Sequence, residues 1–278
     1  MSDRVLKSEQ EKDGASPGSS GEFLGTTEKA EASLPIPTVT TSLSRESRVI
    51  VRADPRSAGA DRFRLLQIRL RSIQASRKLK SILITSPLAK DGKSTVALNL
   101  ATALSEYGKL PVLLLEADVH RPALIERLGL HPWPGLTECF KSKGDPMLAI
   151  RRIEPLGFYL LPAGTPADDC SDLLQTDFVS QLVGGLSPGF AWILIDAPPT
   201  TPIADILALR AQTDATLLVV RAGETPREAV EESIRNLGRD HVLGIILNGV
   251  RGLDRVYAKY YGFGDSARRA KTNTIPRE

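Results

Sequence analysis

Several large classes of protein are excluded by what the sequence has little of. Two cysteines, Cys139 and Cys170, and three histidines in 278 residues are too few for a disulfide framework or a zinc set. This usage predicts a reducing, cytoplasmic setting. No apolar run approaches the roughly 20 residues of a membrane-spanning helix. The longest, around Val112–Leu115, Ile193–Ile195 and Leu217–Val220, have the length of strands. The opening stretch Met1–Asp13 is polar, so no secretory leader is expected. Neither sign of charge dominates, with 36 Lys and Arg against 33 Asp and Glu. A nucleic-acid partner is not expected on that balance. Aromatic residues make up 5%, and three of the five tyrosines, Tyr257, Tyr260 and Tyr261, gather near the end.

Residues 1–60 are rich in Ser, Thr, Gly, Pro and Glu, with no sustained period and eight Lys and Arg against nine Asp and Glu. Such a segment buries too little apolar surface to offset its ordering entropy, which predicts a disordered arm. From Asp61 the pattern changes. Phe63, Leu66, Leu70 and Ile73 recur at helical spacing among Arg62, Arg64, Arg69 and Arg71, the mark of a basic amphipathic helix. Its basic face is either solvated or meets a neighbouring subunit or a membrane surface. Short apolar strands then alternate with helices. Strands are expected at Ser81–Thr85, Pro111–Leu115, Phe158–Leu161, Trp192–Ile195, Thr216–Val220 and Gly244–Leu247. Helices are expected at Lys93–Tyr107, Asp177–Gly184, Ile203–Ala211 and Arg227–Leu237. The pattern predicts an α/β fold of three layers, a mostly parallel central sheet with helices on both faces. The expected division is an arm (1–60), one domain (61–256) and a polar, basic, tyrosine-containing tail (257–278).

The stretch Ser86-Pro87-Leu88-Ala89-Lys90-Asp91-Gly92-Lys93-Ser94-Thr95 lies between the first long strand and a helix, the context a phosphate-binding loop requires. Gly92 allows close backbone approach to an anion, and the amides from Asp91 to Thr95 open a helix whose positive end favours phosphate. Lys93 has the reach for β- and γ-phosphates, and the Ser94 hydroxyl is a Mg²⁺ ligand type. The usual first glycine is Pro87 here. Two acidic strand ends support a P-loop NTPase-like reading. Trp192–Ile195 runs into Asp196-Ala197-Pro198-Pro199, and Leu113–Leu115 into Glu116-Ala117-Asp118-Val119-His120-Arg121-Pro122. Carboxylates at such positions hold Mg²⁺ beside a phosphate loop.

This ordered set, together with Pro134-Gly135-Leu136-Thr137, Leu161-Pro162-Ala163-Gly164, Val219-Val220-Arg221-Ala222-Gly223 and Leu243–Val250, resembles the bacterial tyrosine kinases of capsule and exopolysaccharide biosynthesis over about residues 61–261. The resemblance implies ATP and Mg²⁺ as cofactors and phosphoryl transfer to tyrosines of a neighbouring subunit in a ring. It implies catalytic roles for Lys93, Asp118 and Asp196, and nucleotide binding by Asp91, Gly92, Lys93, Ser94, Thr95 and Asn248, with Asn248 toward the adenine. Metal binding falls to Ser94, Glu116, Asp118 and Asp196, and phosphate acceptance to Tyr257, Tyr260 and Tyr261. A separate membrane-embedded polysaccharide co-polymerase would act as activator and draw a cytoplasmic protein to the inner membrane face. The chain departs from that family at Ala89-Lys90 (Pro-Gly there), at Glu116 and His120 (Asp and Arg there), and at the contact helix. There Asp61, Arg64 and Gln67 stand for a Glu-x-x-Arg-x-x-Arg pattern. Two other readings share the loop: an ATP-binding regulatory scaffold without transfer, and a partition-type ATPase, which carries a lysine where this chain has Leu88.

Overall fold

The structure, a computed structural model, describes residues 36–44, 47–166, 177–201 and 203–250. Tyr257, Tyr260, Tyr261 and Cys170 lie outside the described residues. Among the described residues eight strands form one sheet: β1 (Thr38–Thr40), β2 (Ser81–Thr85), β3 (Val112–Glu116), β4 (Arg151–Glu154), β5 (Phe158–Leu161), β6 (Trp192–Asp196), β7 (Ala215–Arg221) and β8 (Val242–Asn248). Their spatial order is β1-β4-β5-β3-β6-β2-β7-β8. Neighbours run parallel except β4 and β5, which are antiparallel. The central strands β2, β3 and β6 are buried along their whole length, as a sheet covered on both faces demands.

The described helices are α1 (Ile50–Ala53), α2 (Ala58–Ser76), α3 (Lys93–Ser105), α4 (Leu124–Arg127), α5 (Leu136–Ser142), α6 (Asp177–Leu186), α7 (Ile203–Ala211) and α8 (Arg227–Leu237). Two apolar layers follow from the alternation of strand side chains. On one face Leu83, Leu113, Leu115, Ile193 and Ile195 pack with residues of α5, α6, α7 and α8. On the other, Ile82, Ile84, Leu114 and Leu194 pack with α2 and α3. The expected three-layer α/β architecture is therefore present. Register sets up the site: Ile84 and Glu116 both lie opposite Asp196, so the carboxyl ends of β2, β3 and β6 meet. The connection from β2 through α3 passes over β6 to reach β3, which makes this a switch point where α/β sheets bind ligands.

The structure corrects three expectations. The domain begins before residue 61: β1 pairs with β4, and the Val51 amide donates to Asn99 Oδ1 at 3.1 Å. Ser57 caps α2 by accepting from the Ala60 amide at 3.2 Å. These elements of three and four residues are too short to show a period and rely on partners supplied by the domain. β4 also escaped notice, because in Arg-Arg-Ile-Glu the one buried side chain is Ile153. Helix α3 stops at Ser105, and Glu106 and Tyr107 turn left-handed at φ 48° and 59°. Glu106 then accepts from Gln67 at 3.0 Å and pairs with Arg71 at 2.5 Å, which docks α2 onto the end of α3. Asp61 and Arg64 pair with each other, while Leu65 and Ile68 of α2 remain exposed. No helix among the described residues is long and apolar enough to cross a membrane.

Candidate active site

The loop between β2 and α3 is braced from three sides. Gly92 stands at φ 101°, and an added Cβ would lie 2.1 Å from Asn248 Nδ2, so glycine is required twice over. The Asn248 amide donates to the Asp91 carbonyl at 2.9 Å. The Asp91 carboxylate accepts from the Leu88 amide at 3.0 Å and from the Thr225 hydroxyl at 2.8 Å. The strand end is tied to the turn after β6: Thr85 donates to the Pro198 carbonyl at 2.6 Å and the Thr200 amide to the Ser86 carbonyl at 2.9 Å. Lys90 fills a left-handed position at φ 71°, where a β-carbon costs about 1 kcal/mol or more.

Lys93, Asp118 and Asp196 come together in space. The Lys93 ammonium bonds Asp118 Oδ2 at 2.7 Å and lies 3.8 Å from Asp196 Oδ1. Burial acts to lower the lysine pKa, but Asp196 and Asp118 together outweigh it and hold the ammonium above its usual range. Asp118 Oδ1 also accepts from the Arg121 amide at 3.2 Å. Asp196 is 1% exposed, and neither carboxylate oxygen has a hydrogen-bond partner. Burial pushes its pKa up, offset in part by Lys93 and the adjacent Ser94 hydroxyl.

A buried carboxylate left without donors is costly, and beside a serine hydroxyl it fits a divalent cation. No cluster of three or more His, Cys, Asp or Glu suited to a metal occurs among the described residues. The Ser94 hydroxyl and the Asp196 carboxylate are donor types that Mg²⁺ takes, completing its shell with phosphate oxygens and water.

Two residues expected near the ligands are placed as braces. Glu116 is 1% exposed. Its Oε1 accepts from the Ala123 and Leu124 amides at 2.6 and 2.8 Å, and Oε2 from the Ala163 amide at 3.2 Å. Burial pushes its pKa up to about 7 despite these three donors, and Asp196 adds to the rise. Asn248, expected toward the adenine, has its amide nitrogen on the loop backbone. Residues not foreseen are Thr225, Asp205 and Arg127. Asp205 is buried and pairs with His120 Nε2 at 3.2 Å. The His120 position thus links the Asp118 segment to α7. Arg127 donates to the Thr95 hydroxyl at 3.1 Å. Each lies far in sequence from the motif that it supports.

Fold and site together define a nucleotide-binding protein of the P-loop class. No family model matches the chain. It is 27% identical over 223 residues to the tyrosine-protein kinase YwqD of Bacillus subtilis (strain 168), covering 80% of this chain and 94% of YwqD. It is 30% identical over 214 residues to the succinoglycan biosynthesis transport protein ExoP of Rhizobium meliloti (strain 1021), covering 75% of this chain but 27% of ExoP. Among solved structures, the BceF tyrosine kinase domain superposes with a TM-score of 0.66 at 26% identity, covering 78% of this chain and 94% of that domain. The chain is a homologue of the bacterial tyrosine-protein kinases and shares their P-loop fold.

Proposed function

We propose that the protein is an ATP-dependent tyrosine autokinase that regulates the synthesis and export of a capsular polysaccharide or exopolysaccharide. The observation that carries this reading is the Lys93 ammonium held between Asp118 and the buried Asp196 at the mouth of a phosphate loop. The names of the relatives support the chemistry and the setting.

Phosphoryl transfer depends mainly on positioning and charge stabilisation. The amides from Asp91 to Thr95 bind the phosphates, and Lys93 reaches the β- and γ-phosphates. Ser94 and Asp196 would hold Mg²⁺, which would neutralise charge on the phosphate oxygens. A triphosphate competes with Asp118 for the Lys93 ammonium and frees the Asp118 carboxylate to accept a proton. The tyrosine oxygen then bonds to the γ-phosphorus as the bond from that phosphorus to the β-phosphate oxygen breaks. ADP leaves, and the phenolic proton passes to Asp118. Glu116 and Asn248 position the segments around these groups rather than touching the phosphates.

Tyr257, Tyr260 and Tyr261 are the proposed acceptors, offered to a neighbouring copy. The exposed Leu65 and Ile68 on α2 support self-association through that helix, as in a ring. A membrane-embedded co-polymerase is the proposed activator, acting at the inner membrane face on a cytoplasmic kinase. The test is incubation of the purified protein with ATP and Mg²⁺, alone and with a candidate activator, followed by phosphotyrosine mapping by mass spectrometry. Phosphate on the 257–261 cluster is expected. ATP turnover without phosphotyrosine would identify an ATPase, and binding without turnover a scaffold.

A further inference from the structure

Arg127 closes the short helix α4, on the segment that follows Asp118. Its backbone is set by a hydrogen bond from its amide to the Ala123 carbonyl at 3.0 Å, and Glu116 holds the amides at the start of that helix. Glu116, Asp118 and Arg127 are therefore parts of one braced unit leaning on the phosphate loop. Among the described residues, the guanidinium makes one side-chain hydrogen bond, from Nη1 to the Thr95 hydroxyl. It has no ion pair there, and its Nε is buried without an acceptor.

This is an uneconomical place for a cation. Thr95 lies in the first turn of α3, where the helix dipole is already positive. Lys93 adds a second positive charge, but one met directly by Asp118. Among the described residues Arg127 has no such counter-ion. Asp196 feels its charge, which helps offset the much larger effect of burial on that carboxyl, yet the two form no ion pair. A guanidinium held partly out of water without a carboxylate partner costs stability. A guanidinium is also the side chain best shaped to take phosphate oxygens on a planar array of donors.

We propose that Arg127 is a further phosphate-contacting residue of this site, anchored on the Thr95 hydroxyl and presenting the outer N–H groups of its guanidinium to the phosphate nearest the nucleoside. Lys93 serves the far end of the triphosphate, and Thr95 stands two residues deeper into α3, toward the α-phosphate side of the cradle. The contact is therefore common to ADP and ATP. The inference rests on reading Ser86–Thr95 as a nucleotide-phosphate loop.

The test uses the full chain and titrates Mg²⁺-ADP and Mg²⁺-ATP by calorimetry into wild type, Arg127→Gln, Arg127→Lys, Arg127→Met and Lys93→Met. Thermal midpoints of each protein are measured without nucleotide. Arg127→Gln and Arg127→Met are expected to weaken ADP and ATP alike, by about tenfold to a hundredfold, as for the loss of a charge-assisted hydrogen bond. Arg127→Lys should fall between them and wild type. Without nucleotide, Arg127→Met should melt higher than wild type, because an uncompensated charge has gone. Unchanged ADP affinity in Arg127→Gln and Arg127→Lys, with affinity lost in Lys93→Met, would overturn this inference and leave the loop reading intact. A loss confined to ATP would overturn the placement, and a lower midpoint in Arg127→Met would mark a structural role instead. Wild type that binds neither nucleotide would overturn the loop reading and this inference with it.

Discussion

Glu116 offers the most quantitative check on the energetics of the site. Its carboxylate sits at the end of β3 with three backbone amides pointed at it, yet burial raises its pKa from 4.5 to about 7. The folded protein therefore holds a proton here that the unfolded chain releases between those two values. The stabilisation linked to that proton is complete below pH 4.5, declines as pH rises, and is lost above about pH 7. At 1.36 kcal/mol for each pH unit between the two pKa values, the loss is about 3 kcal/mol. Glu116→Gln removes the titration while keeping an oxygen for the Ala123 and Leu124 amides. Urea denaturation of both proteins from pH 4.5 to 8 gives the comparison. The stability of wild type minus that of the variant should fall by about 3 kcal/mol across the range. A difference that stays flat to within about 1 kcal/mol, the size of one net hydrogen bond, would refute the assignment of a buried, proton-binding Glu116.

Three further substitutions probe other parts of the site. Gly92→Ala forces a β-carbon against Asn248 at a left-handed position. It should cost about 1–3 kcal/mol in chemical denaturation and abolish ADP binding measured by calorimetry. Asp196→Asn removes the buried carboxylate proposed to hold the cation, so the rise in thermal midpoint given by Mg²⁺ with ADP should disappear. His120→Ala leaves the buried Asp205 without its imidazole partner. A loss of about 1 kcal/mol is expected from denaturation curves, with His120→Arg restoring it.

The parts of the site that lie within one strand–loop–helix unit were legible, because each needs a residue type at a fixed offset from an apolar run. Ser81–Thr85 followed by Gly92-Lys93-Ser94 is such a case, and so is Trp192–Ile195 followed by Asp196. The convergence of Lys93, Asp118 and Asp196 follows from neighbouring parallel strands in register. The braces were not legible. Thr225 reaches Asp91 across 134 residues and His120 reaches Asp205 across 85, and no local period encodes such pairs. Glu116 read as a metal ligand because acidic strand ends commonly are. Its three amide donors depend on the chain doubling back at Ala123 and Ala163, which its own sequence neighbourhood does not reveal. The same limit explains β1 and β4. Thr38–Thr40 and Arg151–Glu154 are short and mostly polar, and exist as strands because they pair with each other at the end of a sheet that the longer strands build.

Incorporation of label from γ-labelled ATP, compared between wild type and Lys93→Met in the presence of Mg²⁺, tests the proposed kinase most directly. Lys93 is the group on which loop, acids and phosphates all converge. The predicted result is label on tyrosine in wild type and none in the variant. Equal incorporation by Lys93→Met, or none by wild type supplied with its activator, would contradict it.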